Sequence, residues 1–163
     1  MRKQIKFLLL ALILFLSFSS LGFSCSSATL CTNACPKCDL SNAKLRKAYF
    51  AKADLRGTNL RGANLTEANL TSAFLTNANL SNANLKGANL TNAKMEGANL
   101  NGANLSGANL SGANLKKIKL NGANLSRANL TDTNLTNTDL SKANANFKDA
   151  IGVIKDQPVT IGK

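Results

Sequence analysis

The chain of 163 residues contains no histidine and no tryptophan, and only 5% of its residues are aromatic. Without histidine it lacks the side chain most often used as a general base and as a nitrogen ligand for metals. The scarcity of aromatic rings also argues against an ordinary globular core, which normally buries several of them. Acidic residues are few as well, with 8 Asp and Glu against 20 Lys and Arg. The composition therefore excludes histidine-dependent catalysis and indicates a basic protein.

The sequence also lacks any other catalytic constellation. The acidic residues are dispersed, no Ser or Cys has a histidine to activate it, and no phosphate-binding glycine loop occurs. We therefore predict a protein that is not an enzyme and that requires no cofactor, metal or small-molecule substrate.

The N-terminal segment 1–24 is typical of a secretory signal peptide. Three basic residues near its start precede an apolar run over 7–18. Small residues at the −3 and −1 positions fit cleavage after Gly22 or after Ser24. An uncleaved membrane anchor is the alternative, because the 17 residues from Phe7 to Phe23 reach the lower length limit of a membrane span. We expect export to the periplasm, the cell surface or a thylakoid lumen, and a net charge of about +9 after cleavage.

Clustered cysteines follow the signal directly: Cys25, Cys31, Cys35 and Cys38. In an oxidising compartment an even number of cysteines predicts disulfide bonds, and three connectivities are open. In a reducing compartment the same spacing would suit zinc. The run that ends at Ser24-Cys25 also resembles a bacterial lipobox, with Gly22 in place of the usual Leu. Lipidation of Cys25 would tether the protein to a membrane.

From residue 40 to residue 140 a large apolar residue occupies every fifth position without a gap. A small residue, usually Ala, lies two positions earlier, and Asn usually lies between them, so that the unit is A-N-L-[ST]-[GN]. A helix would wind these residues around its whole surface, and a straight strand would alternate them between its faces. Only a chain that turns a corner at every repeat directs all of them to one interior.

The charged residues give the number of corners in one coil. Residues one coil apart stack about 4.8 Å from each other, where like charges repel. At the spacing of four pentapeptides every charged pair has opposite signs, namely Lys47 with Glu67, Glu96 with Lys116, and Lys119 with Asp139. Coils of three or of five pentapeptides would bring mostly like charges together. The charges therefore predict four sides per coil.

The A-N-L-x-x run over residues 38–145 resembles the pentapeptide-repeat family. The resemblance implies an all-β fold, a right-handed four-sided β-helix of about five coils, with Leu and Phe filling the core. We expect a signal peptide over 1–24, a cysteine-rich N-terminal cap over 25–37, and a C-terminal cap or tail over 146–163. The predicted core-lining residues include Leu45, Phe50, Leu65, Leu85, Met95, Leu105 and Leu125.

Departures from the repeat mark candidate contact points. Phe74 occupies an outward position that is normally Asn. Ile118 replaces the small Ala inside a run of lysines, Lys116, Lys117 and Lys119, so this coil should bulge or present a basic spot. Neutral drift on a permissive surface is the simpler explanation of each departure.

The leading functional hypothesis is an exported structural or protein-interaction scaffold with an unknown protein partner, or a homodimer formed through the C-terminal tail. A second hypothesis uses the basic surface to bind anionic lipid, cell-wall polymer or nucleic acid. The family resemblance implies a third, since some members mimic DNA and bind topoisomerases. That role needs an acidic surface, and this chain is basic.

Mass spectrometry of the exported, unreduced protein checks both the signal and the cysteines. We expect a new N-terminus at Phe23 or Cys25 and no free thiol. Recovery of a diacylated Cys25 would instead assign the protein to the lipoproteins.

Overall fold

The computed structural model describes residues 34–138. The predicted signal peptide, Cys25, Cys31 and the predicted C-terminal cap or tail lie outside the described residues. Within 34–138 there is no helix, and the only β-structure consists of single-residue bridges. No helix that could cross a membrane occurs in this range.

Parallel bridges connect each bridging residue to its counterpart four pentapeptides later, from Ala34 with Asp54 to Asn114 with Asn134. Bridging residues recur every fifth position, directly before each core residue. One coil therefore contains four pentapeptides and has four sides. The four-sided coil predicted from the charges is confirmed.

We number the sides by their bridging residues. Side 1 carries Ala34, Asp54, Phe74, Lys94, Asn114 and Asn134. Side 2 carries Asp39, Asn59, Asn79, Asn99 and Lys119. Side 3 carries Lys44, Asn64, Asn84, Asn104 and Asn124. Side 4 carries Tyr49, Asn69, Asn89, Asn109 and Asn129.

Each side ends in a tight turn, which we call a corner. The carbonyl of the core residue accepts a hydrogen bond from the N–H three positions later, as Leu40 does from Ala43 at 3.1 Å. The second residue of the turn has a positive φ at every corner from Lys37 to Asn137, which is the signature of a type II turn. Glycine fills eight of these positions and Asn five, while the others hold Ser or a charged residue. Each of those others costs about 1 kcal/mol of backbone strain, which the rest of the coil must offset.

Backbone hydrogen bonds between coils supply that stabilisation. In one pentapeptide, the N–H of Leu60 donates to the Asn79 carbonyl at 2.7 Å, and the N–H of Gly62 donates to Ser81 at 2.9 Å. The N–H of Asn79 in turn donates back to Thr58 at 2.9 Å. Three of the five amides in each repeat thus pair with a neighbouring coil, and a fourth closes the corner.

The interior is a narrow apolar bore. The predicted core-lining residues Leu45, Phe50, Leu65, Leu85, Met95, Leu105 and Leu125 are each 4% exposed or less. Ala side chains pack beside them at nearly every repeat. A cavity of about 10 Å³ lies in the bore near Ile118, which is room for roughly one water. The bore near Ile118 therefore has no space for a ligand, and any binding there must use the outer surface.

Larger residues at the small-residue position are accommodated locally. The hydroxyl of buried Thr58 donates to the Cys35 carbonyl one coil away, at 2.7 Å. Ile118 is buried, and its corner hydrogen bond to the Leu115 carbonyl lengthens to 3.4 Å. The next bridge, between Asn99 and Lys119, is kept. The expected bulge at Ile118 is thus limited to one stretched corner, because the coil register is preserved.

Two of the three predicted charge pairs form ion pairs between coils. Lys47 Nζ lies 3.4 Å from a Glu67 oxygen, and Lys116 Nζ lies 3.8 Å from Glu96. The partner of Lys119, Asp139, lies outside the described residues. The two contacts confirm that residues four pentapeptides apart stack on each other.

Substitutions of neighbouring residues test the assignment of inside and outside. Leu85→Asp should abolish cooperative folding, since it buries a charge in an apolar bore at a cost of several kcal/mol. Asn84→Asp should change the thermal midpoint little, because Asp keeps the oxygen that accepts the N–H of Lys86. Thermal unfolding followed by circular dichroism compares the two. Equal losses of stability would show that the assignment is wrong.

Candidate interaction surface

The bridging Asn residues complete the hydrogen bonding of the corners. The fifth amide of the repeat, on the first corner residue, has no backbone partner in a neighbouring coil. At Thr91 this N–H donates to Asn89 Oδ1 at 3.1 Å, and the Thr91 hydroxyl donates to the same oxygen at 2.7 Å. The pattern recurs at most corners, and Asn or Asp is the residue that supports it. Sequence reasoning placed these Asn side chains outside but missed their role, although Asn followed two positions later by Ser or Thr is its signal.

Sides 3 and 4 form a continuous array of amide groups. All their bridging positions between residues 64 and 129 are Asn, and each Oδ1 accepts an N–H of its own corner. The Nδ2 groups of these residues make no hydrogen bond within residues 34–138. We call this set the amide array: Asn64, Asn84, Asn104 and Asn124 on side 3, and Asn69, Asn89, Asn109 and Asn129 on side 4.

The amide array has glycine at the corner in its two central coils. The corner between its two sides contains Gly87 and Gly107, and a Cβ added at Gly107 would meet no atom within 4 Å. Successive Asn residues on one side are separated by one coil, about 4.8 Å. The corner is therefore open at the centre of the array, whereas the exposed charged residues Glu67 and Arg127 occupy the same corner position in the first and last of its coils. The hydrogen-bond donors of the array itself are evenly spaced and uncharged.

Side 2 uses its amides differently. Asn59 Nδ2 donates to Asp39 Oδ1 at 3.0 Å, and Asn79 Nδ2 lies 3.4 Å from Asn59 Oδ1. These two Nδ2 groups bond to the neighbouring coil, so side 2 presents fewer free amide donors to a partner than sides 3 and 4 do.

Side 1 carries paired charges and the predicted contact residue Phe74. Phe74 is half-buried, and Lys94 Nζ lies 4.7 Å from the centre of its ring, a cation–π contact. One coil earlier, Arg56 Nη2 lies 2.6 Å from Asp54 Oδ2. The hydrogen bond from the Arg56 side chain holds the pKa of Asp54 below its usual value. Phe74 is therefore covered in part by the protein's own lysine.

Tyr49 is the most exposed large apolar residue in the described range, at 50%. It stands at the start of side 4, directly before Asn69 of the amide array. Sequence reasoning did not single it out, although it replaces Asn at a bridging position as Phe74 does.

Positive charge concentrates near the two ends of the described solenoid. Lys116 is paired with Glu96, whereas Lys117 and Lys119 are exposed and form no ion pair within residues 34–138. In the first coil Arg46 and Lys47 both contact Glu67. The basic spot predicted around Ile118 thus consists of one paired lysine and two lysines without an ion pair among the described residues.

Within residues 34–138, no three Cys, Asp or Glu side chains are close enough together to hold a metal ion.

Comparisons with known proteins extend these observations. One family model, a pentapeptide repeat region, matches residues 28–105, and a second, pentapeptide repeats in eight copies, matches residues 108–146. No curated protein matches the chain.

Several solved structures are similar to the chain. A pentapeptide repeat protein from the Arabidopsis thaliana thylakoid lumen shares 30% identity over 72% of this chain and 79% of its own, with a TM-score of 0.48. Rfr23 from the cyanobacterium Cyanothece 51142 shares 32% over 64% and 85%, with a TM-score of 0.41. QnrB1, a plasmid-mediated fluoroquinolone resistance protein, shares 27% over 72% and 61%, with a TM-score of 0.38.

The family assignment rests on the sequence models, which together span most of residues 28–146 and include the described coils. The chain belongs to the pentapeptide-repeat family.

Proposed function

We propose that the protein is an exported, non-catalytic scaffold that binds a protein partner through the amide array. Pentapeptide repeat proteins form right-handed quadrilateral β-helices and are generally structural or interaction proteins. The observation that carries the proposal is the fixed orientation of the Asn side chains on sides 3 and 4.

Fixed side chains favour binding because they lose little conformational freedom on association. Each Asn of the array is held through its Oδ1, as Asn109 is by the N–H of Ser111 at 3.1 Å. The free Nδ2 groups match acceptors such as the backbone carbonyls of an extended segment. Exposed Tyr49 at the start of side 4 adds an aromatic side chain of the kind enriched at binding hot spots.

The arrangement of the whole chain is part of the proposal. The signal peptide over 1–24 directs export, the segment 25–37 caps the first coil, and about five coils follow over 38–145. The tail over 146–163 covers the other end or joins two copies. Cleavage releases the scaffold, whereas lipidation of Cys25 or an uncleaved signal holds it at a membrane.

Exposed lysines favour a second candidate, the binding of an anionic lipid, cell-wall polymer or nucleic acid. Lys117 and Lys119 lie near one end of the described coils and are unpaired there. Lys44, Lys52 and Arg61 near the other end are also exposed and form no ion pair among the described residues. These basic residues are spread along the solenoid, and a solvated surface is the simpler explanation of them. DNA mimicry and topoisomerase binding rank lower, since the chain carries a net charge of +12.

Replacing array amides by carboxylates tests the leading proposal. Asn89→Asp with Asn109→Asp keeps both corner acceptors but removes the outward donors. Binding to the partner should fall about tenfold or more, the loss of roughly 1.4 kcal/mol expected when two hydrogen bonds disappear. Quantitative capture from the exported compartment, with the midpoint of thermal unfolding measured in parallel, gives the comparison.

The matched control is Asn114→Asp with Asn134→Asp. These residues lie on side 1 and stack one coil apart, as Asn89 and Asn109 do. They serve the same corner role for Lys116 and Thr136 and change the net charge equally. Equal loss of binding in both variants would show that the amide array is not the contact surface.

Vesicle binding distinguishes the second candidate. Under the scaffold proposal, vesicles of anionic and of neutral lipid should retain the protein equally at physiological salt. Salt-sensitive retention on anionic vesicles that is lost in Lys117→Gln with Lys119→Gln would assign the function to the basic surface.

A further inference from the structure

The first described corner differs from all the later ones in its chemistry. Its four residues are Cys35, Pro36, Lys37 and Cys38, and a disulfide bond joins the two cysteines. Pro36 suits the first turn position and Lys37 has the positive φ of the second, at 60°. Cys35 fills a core position, and Cys38 fills the position that is Ala in most repeats.

The disulfide is not needed to form this corner. Every later described corner closes without one, for example between Leu40 and Ala43, with the same hydrogen bond from the fourth residue to the first. A bond that closes so short a loop also restricts the unfolded chain less than a bond across a long loop. Structural stabilisation alone therefore explains it poorly.

The neighbouring coil holds both cysteines independently of their sulfurs. The Cys35 N–H donates to the Asp54 carbonyl at 2.7 Å, and the Thr58 hydroxyl donates to the Cys35 carbonyl at 2.7 Å. The Cys38 carbonyl accepts the N–H of Asn59 at 2.8 Å. The two Cα atoms are 5.4 Å apart, within the range that permits a disulfide. After reduction the two thiols should stay adjacent and re-form the bond without refolding of the chain.

The two cysteine residues differ in exposure. Cys35 is buried, at 9% exposure, whereas Cys38 is only partly buried. An attacking thiolate therefore reaches Cys38 first.

We propose that Cys35 and Cys38 form a redox-active disulfide that exchanges with a dithiol and enters the reaction through Cys38. A thiolate of the dithiol attacks Cys38 Sγ, and the bond to Cys35 breaks, leaving Cys35 as a thiolate that takes up a proton. The second thiol of the dithiol then attacks the mixed disulfide and releases Cys38. The dithiol is oxidised to a disulfide, and the corner gains two electrons and two protons. This inference goes beyond the proposed scaffold function and does not depend on it.

Redox titration of the full exported chain tests the proposal. The protein is equilibrated with mixtures of oxidised and reduced dithiothreitol, its thiols are trapped with a mass tag, and peptides are mapped. Cys35 and Cys38 should titrate together as one two-electron couple while the circular dichroism spectrum and thermal midpoint stay unchanged. Reduction that occurs only with loss of the β-structure, or a bond from Cys35 to Cys25 or Cys31, would overturn the proposal.

The repeat itself supplies the matched variant. Cys35→Leu with Cys38→Ala restores the side chains found at the other corners, so it should fold with an unchanged midpoint but fail to oxidise a reduced dithiol peptide. A large drop in the midpoint of thermal unfolding would show instead that the disulfide serves to stabilise the fold. If this variant oxidises the dithiol peptide as fast as the wild type does, the exchange must be carried out by other cysteines.

Single variants locate the point of entry. Cys35→Leu leaves Cys38, which should form a mixed disulfide with glutathione disulfide at least tenfold faster than Cys35 does in Cys38→Ala. The opposite order would overturn entry through Cys38.

Discussion

A chain that turns a corner at every repeat must satisfy its backbone amides there, and the rest of the structure depends on this constraint. Buried backbone groups without partners are too costly to tolerate. In a typical repeat three amides bond to adjacent coils, one closes the corner, and the last bonds to an Asx side chain, as Ser106 does to Asn104. The repeat therefore satisfies its own backbone amides once coils are stacked, and the interior needs no polar groups to pair with them.

The same constraint explains how the outer surface is built. When the Oδ1 of an Asn accepts a corner N–H, the Nδ2 of the same side chain must point elsewhere. The hydrogen-bond donors on the surface therefore follow from the pairing of the backbone amides. At Lys119, where the bridging residue is not Asn, a contact from the neighbouring coil replaces the missing one. The N–H of Asn121, which follows Lys119, bonds to Asn101 Oδ1 from the previous coil at 2.9 Å. Surface chemistry and backbone stability are thus coupled at each corner, whereas the core is nearly constant.

Sequence reasoning predicts the core and the coil well because both depend on strict spacing. The five-residue period identifies the inward residues, and charge pairs such as Lys47 with Glu67 give the number of pentapeptides in one coil. Contacts that depend on side-chain rotamers are less predictable. The ring of Phe74 looked free in the sequence, yet Lys94 lies over it, because stacking brings a residue of the next coil into contact. The bond between Cys35 and Cys38 likewise required the corner geometry, since the spacing of four cysteines leaves three pairings open.

The fixed content of four pentapeptides per coil has a consequence for how such a chain can change in length. Insertion of one pentapeptide adds a complete repeat and leaves the apolar interior intact. It nevertheless moves every later residue to the next side of the solenoid, so that Asn104 would follow a different column of side chains. Only a change of a whole coil preserves both the interior and the alignment of the outer columns. The outer surface therefore tolerates changes of length only in whole coils, whereas the core tolerates changes of a single pentapeptide.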